Sequence, residues 1–204
     1  YTNNSDFCKT SAQLCIISRI NSRYFPKTAT FIICKNDFSF AAMTIEDIAL
    51  QMTPGIGIKG AVHLLELFGD ARSIFAATAD ELVTKAGLRP DTAQQIVRRK
   101  GFSAAEKELA YCRRNGIAAI ASTDPEYPPL LREIPDYPHV IYVRGSVEAL
   151  SARCVSVVGT REATPYGQTA CNRIVEGLAE RVPGLCIVSG LAFGIDVAAH
   201  RAAL

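Results

Sequence analysis

Val155-Ser156-Val157-Val158-Gly159-Thr160-Arg161 and Leu185-Cys186-Ile187-Val188-Ser189-Gly190-Leu191-Ala192-Phe193-Gly194-Ile195-Asp196 decide the reading of this chain. The first is a short β-branched run that ends in Gly-Thr-Arg. The second repeats the plan with an apolar run, a small hydroxyl residue, glycines and a helix start. Between them, Tyr166 to about Arg181 carries helical apolar spacing at Ile174, Val175 and Leu178. Strand, turn, helix, strand, turn, helix is a βαβ unit, which forms a parallel sheet with a right-handed crossover. Ligands bind such sheets outside the carboxyl ends of the strands, where both turns are expected. Backbone N–H groups, helix N-termini and Arg161 together favour an anion there, and a phosphate suits them best.

Each residue of these turns has a chemical reading and a plainer one. Gly159 permits a tight turn and a close approach, Thr160 offers a hydroxyl and an N–H, and Arg161 offers a planar fork for two phosphate oxygens. The plainer reading makes this a structural turn with Arg161 in an internal ion pair. Ser189, Gly190 and Gly194 form the second turn, with Ser189 and Gly190 able to donate to phosphate. Asp196 suits a helix cap or loop brace better than an anion contact, because like charges repel. His200 follows four residues later on the same helical face, so an Asp196–His200 contact is expected, as a brace or as an acid–base pair. Arg144 and Arg153 either widen the basic rim or are ordinary surface charges.

Upstream, residues 44–101 read as helices joined by short turns. Pro54-Gly55-Ile56-Gly57, followed by Lys59 and Leu64-Leu65, resembles a helix–hairpin–helix. Gly55 and Gly57 let the backbone approach a phosphate, the next helix presents free N–H groups, and Lys59 adds charge. A helical turn used only for packing is the alternative. Thr78 or Asp80 caps a helix to Ala86, and Pro90 or Asp91 starts one that runs into Arg98-Arg99-Lys100 and ends at Gly101. A helix from Ser103 to Asn115, a strand at Ile117–Ile120, an irregular proline-rich connector and a strand at Val140–Gly145 follow. The fold expected is α/β: a helical domain of helix–hairpin–helix or sterile-alpha-motif type over 44–101, then a Rossmann-like parallel sheet over 102–204.

These blocks also carry a family resemblance. Val157-Val158-Gly159-Thr160-Arg161 with Thr164-Pro165-Tyr166-Gly167, then Ser189-Gly190-Leu191-Ala192, Gly194-Ile195-Asp196, Ala199-His200 and Ala203-Leu204, resemble the DNA-processing protein A family (DprA, also called Smf). The likeness continues upstream through Tyr127-Pro128-Pro129-Leu130-Leu131 and Tyr142-Val143-Arg144-Gly145, spanning roughly 44–204. The resemblance implies binding of single-stranded DNA by its backbone, loading of the RecA recombinase in natural transformation, a homodimer when full length, and no covalent chemistry or cofactor. It places the DNA-backbone role on Gly159, Thr160 and Arg161. Phe193 departs from a common family form that has arginine between Ala and Gly. An aromatic ring there either stacks on a base or packs against the neighbouring helix, and Tyr166 poses the same choice. The competing reading is a glycosidic-bond hydrolase of similar fold acting on nucleotides, and a third is an interaction scaffold that binds nothing.

Composition bounds the rest. The chain has 204 residues, 49% hydrophobic and 21% charged, and net charge +2, so nucleic-acid binding would depend on where the arginines sit rather than on a global field. The seven cysteines show no CxxC pair and no zinc spacing, which excludes a metal site of that type and favours free core thiols in a cytoplasmic protein. No apolar run is long enough for a membrane span. Residues 1–42 contain no Gly, Glu or Val yet hold three of the seven Cys and five of the nine Phe. They are expected to be a non-family extension, arising either by translation upstream of Met43 or as a real addition. About four strands precede Leu204, fewer than a doubly wound sheet uses, so a C-terminal truncation and an exposed parallel edge are expected.

Overall fold

The computed structural model describes residues 44–204 and three strands before them, β1 (Gln13–Leu14), β2 (Ile17–Arg19) and β3 (Thr30–Ile33). Beyond those strands, the reading of 1–42 as an extension lies outside the described residues. The elements that follow are α1 (Ile45–Met52), α2 (Ile58–Phe68), α3 (Ala71–Ala76), α4 (Ala79–Ala86), α5 (Pro90–Val97) and α6 (Phe102–Arg114). Then come β4 (Ile117–Ala121), α7 (Pro129–Arg132), β5 (Val140–Arg144), a 3-10 turn at Val147–Ser151, β6 (Cys154–Ser156), α8 (Pro165–Arg181), β7 (Cys186–Val188) and α9 (Ile195–Ala203). The fold is α/β, as expected. Residues 44–204 fall into two compact units that divide between Val143 and Arg144, with β1 in the second of them.

The first unit is a cluster of short helices whose apolar faces meet. Ile48, Leu50, Leu64, Ile74, Leu82 and Ile96, from α1 to α5, are fully buried, which is what amphipathic helices of one or two turns need to persist. Local chemistry sets their ends. Asp47 accepts hydrogen bonds from the N–H and Oγ1 of Thr44 at the start of α1. Thr78 and Glu81 form a reciprocal capping box on α4, settling Thr78 rather than Asp80 as the cap. Gly87 takes a left-handed φ of 64° after α4, and Pro90 opens α5.

The basic run does not extend α5. The helix stops at Val97, Arg99 adopts a φ of 52°, and its guanidinium lies 4.9 Å from the Phe102 ring centroid. Gly101 is accordingly not a helix stop. It precedes α6, and any side chain there would collide with the Ala49 carbonyl, so the residue is glycine because α1 and α6 touch at that point. The proline-rich connector is also more ordered than expected. It contains α7, and Tyr127 is buried with its hydroxyl donating to the Pro138 carbonyl at 2.5 Å.

Buried polar groups join α1 to the strands. His139 Nε2 lies 3.0 Å from Asp47 Oδ1 and His139 Nδ1 lies 2.8 Å from Ser122 Oγ, with all three residues buried. Gln51 accepts from the Val140 N–H. Glu108 on α6 is buried too, and its Oε1 has no hydrogen-bond partner.

The second unit is the βαβ unit. β6 and β7 run parallel in the register Cys154–Cys186, Val155–Ile187 and Ser156–Val188, with β1 parallel on the far side of β7. α8 and α9 pack against each other, and their core gathers Cys171, Val175, Leu185, Ile187, Ala199 and Ala203. Cys112, Cys171 and Cys186 are buried as expected of core thiols, whereas Cys154 is exposed. β6 stands outermost in the order β1-β7-β6, so a residue on it is covered from one side only.

Candidate functional site

The parallel register of β6 and β7 sends both glycine loops out from one end of the sheet. The Val157 N–H donates to the Val188 carbonyl at 2.8 Å, which keeps the chains paired up to the point where they diverge. The loops then meet again. The Ile195 N–H donates to the Thr160 carbonyl at 3.1 Å. Gly194, at φ 85°, sits so close to Thr160 and Arg161 that a side chain would strike the Thr160 carbonyl and lie 2.5 Å from that of Arg161. Only a residue without Cβ adopts this φ at that distance without strain.

Gly159 is glycine for a different reason from the expected one. Its φ is not in the left-handed region, but a methyl there would lie 2.5 Å from Ile195 Cβ. Gly167, in the first turn of α8, also approaches Ile195, with 3.6 Å from its would-be Cβ to Cδ1. Ile195 is thus the apolar post around which the Gly159 turn, the start of α8 and the start of α9 are arranged. Sequence reading missed it, because an isoleucine after glycine carries no signal; the signal was in the glycines opposite it.

The second loop is held by its own side chains. Ser189 is buried, lies 2.6 Å through Oγ from His200 Nε2, and accepts the Leu191 N–H at 3.0 Å. Asp196 Oδ2 accepts the Ala192 N–H at 3.2 Å, so it braces the loop from the first turn of α9. Gly190 leaves room for that carboxylate, since a methyl there would come within 3.2 Å of Asp196 Oδ2. His200 is hydrogen-bonded to Ser189, not to Asp196. Burial lowers the His200 pKa below its ordinary value, and the Asp196 charge opposes this incompletely, which leaves the ring neutral near pH 7. The Leu191 backbone at φ 52° completes a loop over-determined by local contacts.

The exposed charges of the first loop are Arg161 and its neighbour Glu162; Arg161 makes no ion pair among the described residues, so the internal-pair reading does not hold. Thr160 Oγ1 accepts the Glu162 N–H, and Thr164 caps α8 by accepting from Gly167 N–H. The structure therefore brings Gly159, Thr160, Arg161, Ser189, Gly190 and Gly194 together, with Asp196 and His200 behind them. Arg144 and Arg153 are exposed. Phe193 and Tyr166 are 82% and 83% exposed, so neither ring packs against a helix.

Gly55 at φ 85° turns the chain after α1, a methyl there would lie 3.1 Å from Thr92 Oγ1, and Gly57 precedes α2 with open space around it. Lys59 is exposed. Among the described residues no three His, Cys, Asp or Glu side chains gather as a metal site, and no helix is long and apolar enough to cross a membrane.

A family model of DNA recombination-mediator protein A matches residues 118–204. The DNA processing protein DprA of Bacillus subtilis is 38% identical over 97 residues, covering 47% of this chain and 32% of that protein. The putative DNA processing protein DprA of Mycobacterium tuberculosis H37Rv is 33% identical over 146 residues, 65% of this chain and 37% of that one. Protein Smf of Escherichia coli K12 is 38% identical over 99 residues, 48% of this chain and 26% of that one. The X-ray structure of DNA processing protein A from Streptococcus pneumoniae superposes with a TM-score of 0.59 at 26% identity, covering 79% of this chain and 54% of that one. The chain thus spans about a third of the length of these curated relatives.

Proposed function

This chain belongs to the DNA processing protein A (DprA/Smf) family, and on that premise we propose that it binds the sugar–phosphate backbone of single-stranded DNA at the paired glycine loops. The observation that carries the reading is the junction of the two loops. The Ile195 N–H to Thr160 carbonyl bond and the close approach of Gly194 hold Arg161 beside the 189–194 loop with no acidic partner of its own. An exposed guanidinium with no ion pair among the described residues, set where two loops meet, suits a phosphodiester and reads no base.

In the whole protein this site would deliver single-stranded DNA to the RecA recombinase during transformation and recombination. The protein would act in the cytoplasm, as a homodimer and without covalent chemistry. The names of the relatives support DNA processing in general; delivery to RecA is the finer proposal. Gly55, Gly57 and Lys59 would add a second backbone contact from the helical unit.

The test is fluorescence anisotropy with labelled oligo-dT and a duplex of equal length across a salt series. Oligo-dT should bind more tightly, and log affinity should fall linearly with log salt at about −0.7 per phosphate neutralised. Arg161→Ala should weaken binding and flatten that slope with the melting temperature unchanged. Unchanged affinity in Arg161→Ala removes the arginine from the site, and release of free base from nucleoside monophosphates would replace the proposal with the hydrolase reading.

A further inference from the structure

Phe193 and Tyr166 are large apolar side chains left almost wholly in water, at 82% and 83% exposed. An exposed ring on a floppy terminus needs no account, but these are placed by rigid backbone. Phe193 immediately precedes Gly194, whose position is dictated by the Thr160 and Arg161 carbonyls. Tyr166 immediately precedes Gly167, which approaches Ile195 in the first turn of α8. Both rings are therefore chain neighbours of glycines that border the same loop junction, one on each side of Ile195, with Arg161 attached to that junction. Two rings held exposed on the chain segments that meet at the Thr160–Arg161 junction mark an interaction surface.

We propose that Phe193 and Tyr166 are stacking platforms for the unpaired bases of the strand whose phosphates the glycine loops hold. This rests on the backbone-binding reading above and adds what that reading lacks, a reason to prefer a single strand. Phosphates are present in both single strands and duplexes, so Arg161 and backbone N–H groups distinguish them weakly. A base face is open only when the base is unpaired, and stacking on it is indifferent to sequence because every base has a π-face. Where Phe193 stands, a cation would add attraction for phosphate; the ring instead exchanges charge for discrimination against duplex. A lower dependence on salt follows, since each base contact made by a ring displaces no counterion.

The chain contains no tryptophan, so Phe193→Trp places a single indole at the proposed contact. The full chain is titrated with oligo-dT and with an abasic oligonucleotide of equal length, which carries the same phosphates and no bases. Indole emission should be quenched by oligo-dT and not by the abasic strand. Phe193→Ala should weaken oligo-dT binding about 5- to 150-fold, the range for one lost stack, while leaving abasic binding unchanged, and Tyr166→Ala should do likewise. Phe193→Leu should behave as Phe193→Ala; full affinity with leucine would show greasy contact, not stacking, and overturn the proposal. Equal loss on both strands, or binding without quenching, would also overturn it. Sedimentation showing that Phe193→Ala converts a dimer to a monomer would assign the ring to a second copy of this chain instead. Persistence of quenching with Arg161→Ala at full affinity would sink the backbone reading alone, and no binding of either strand would sink both.

Discussion

Ser189 Oγ and His200 Nε2 lie 2.6 Å apart beneath the second glycine loop, both residues buried. Because Ser189 also accepts the Leu191 N–H, its oxygen is held from two directions and the loop takes its shape from that point. His200 Nδ1 has no partner. The pair is a brace at the site, and its protonation state matters because one ring nitrogen is unpaired in the folded protein.

That arrangement makes stability depend on pH. The folded pKa of His200 is lowered from its ordinary 6.5, chiefly by burial. Below 6.5 the unfolded chain takes up a proton and the folded one does not, so the His200 contribution to stability rises with pH across the window between the lowered pKa and 6.5 and is flat above it. Urea denaturation at pH 5.5 and 7.5 should show the wild type gaining stability relative to His200→Gln as the pH rises, a comparison in which contributions from other titrating groups cancel. Ser189→Ala, which strips His200 of its remaining partner, should cost about 1–3 kcal/mol at pH 7.5.

Gly159 and Ile195 should behave as a coupled pair. A methyl at Gly159 would lie 2.5 Å from Ile195 Cβ, so Gly159→Ala should destabilise by about 1–3 kcal/mol through overpacking. Replacing Ile195 with alanine relieves the clash, and the double variant should lose less than the sum of the single changes. Strict additivity in thermal melts would show that the two residues do not meet.

Glu108 is a penalty that the fold carries. Burial on α6 raises its pKa from 4.5 to about 7. Between these values the folded state holds a proton that the unfolded state has released, so stability falls as pH rises from 4.5 and levels off above about 7. The loss at pH 8 is on the order of 3 kcal/mol. Glu108→Gln should therefore gain stability at pH 8 and little at pH 4.5, read by denaturant midpoints at both.

The Asp47–His139 contact runs the other way. Burial alone would raise the Asp47 pKa, but hydrogen bonds from His139 and Thr44 outweigh it and hold the carboxyl below its ordinary 3.8. Its stabilisation is present above that value and is lost as pH falls through the lowered pKa. His139→Ala leaves Asp47 Oδ1 buried without this donor and should cost about 3 kcal/mol at neutral pH, since a buried charge loses its partner. A loss confined to pH below 4 would contradict the geometry.

Much of the fold was readable in the residues. The two β-branched runs, each closed by glycine, specify parallel strands with a helical crossover because their spacing admits little else. The Thr78 cap, the Gly87 turn and Pro90 at the start of α5 were readable for the same reason, since each acts within a few residues of itself. What escaped was contact between distant segments and one local turn of the backbone. Gly101 reads as a helix stop but is small because α1 lies against it. Arg98 to Lys100 reads as a helix end but follows Val97 in a turn where Arg99 covers Phe102. Cys154 reads as core but stands on an outermost strand.

The sequence by itself determined where the two glycine loops fall, because the residue types that tolerate tight turns and offer donors are local properties of the chain. Only the tertiary structure decided how those residues are used. Ile195 binds three glycine-marked segments into one junction, His200 turns to Ser189 instead of Asp196, and the Phe193 ring is left in water. Each outcome depends on the distance between backbones far apart in sequence, and side-chain packing sets that distance once the sheet has formed.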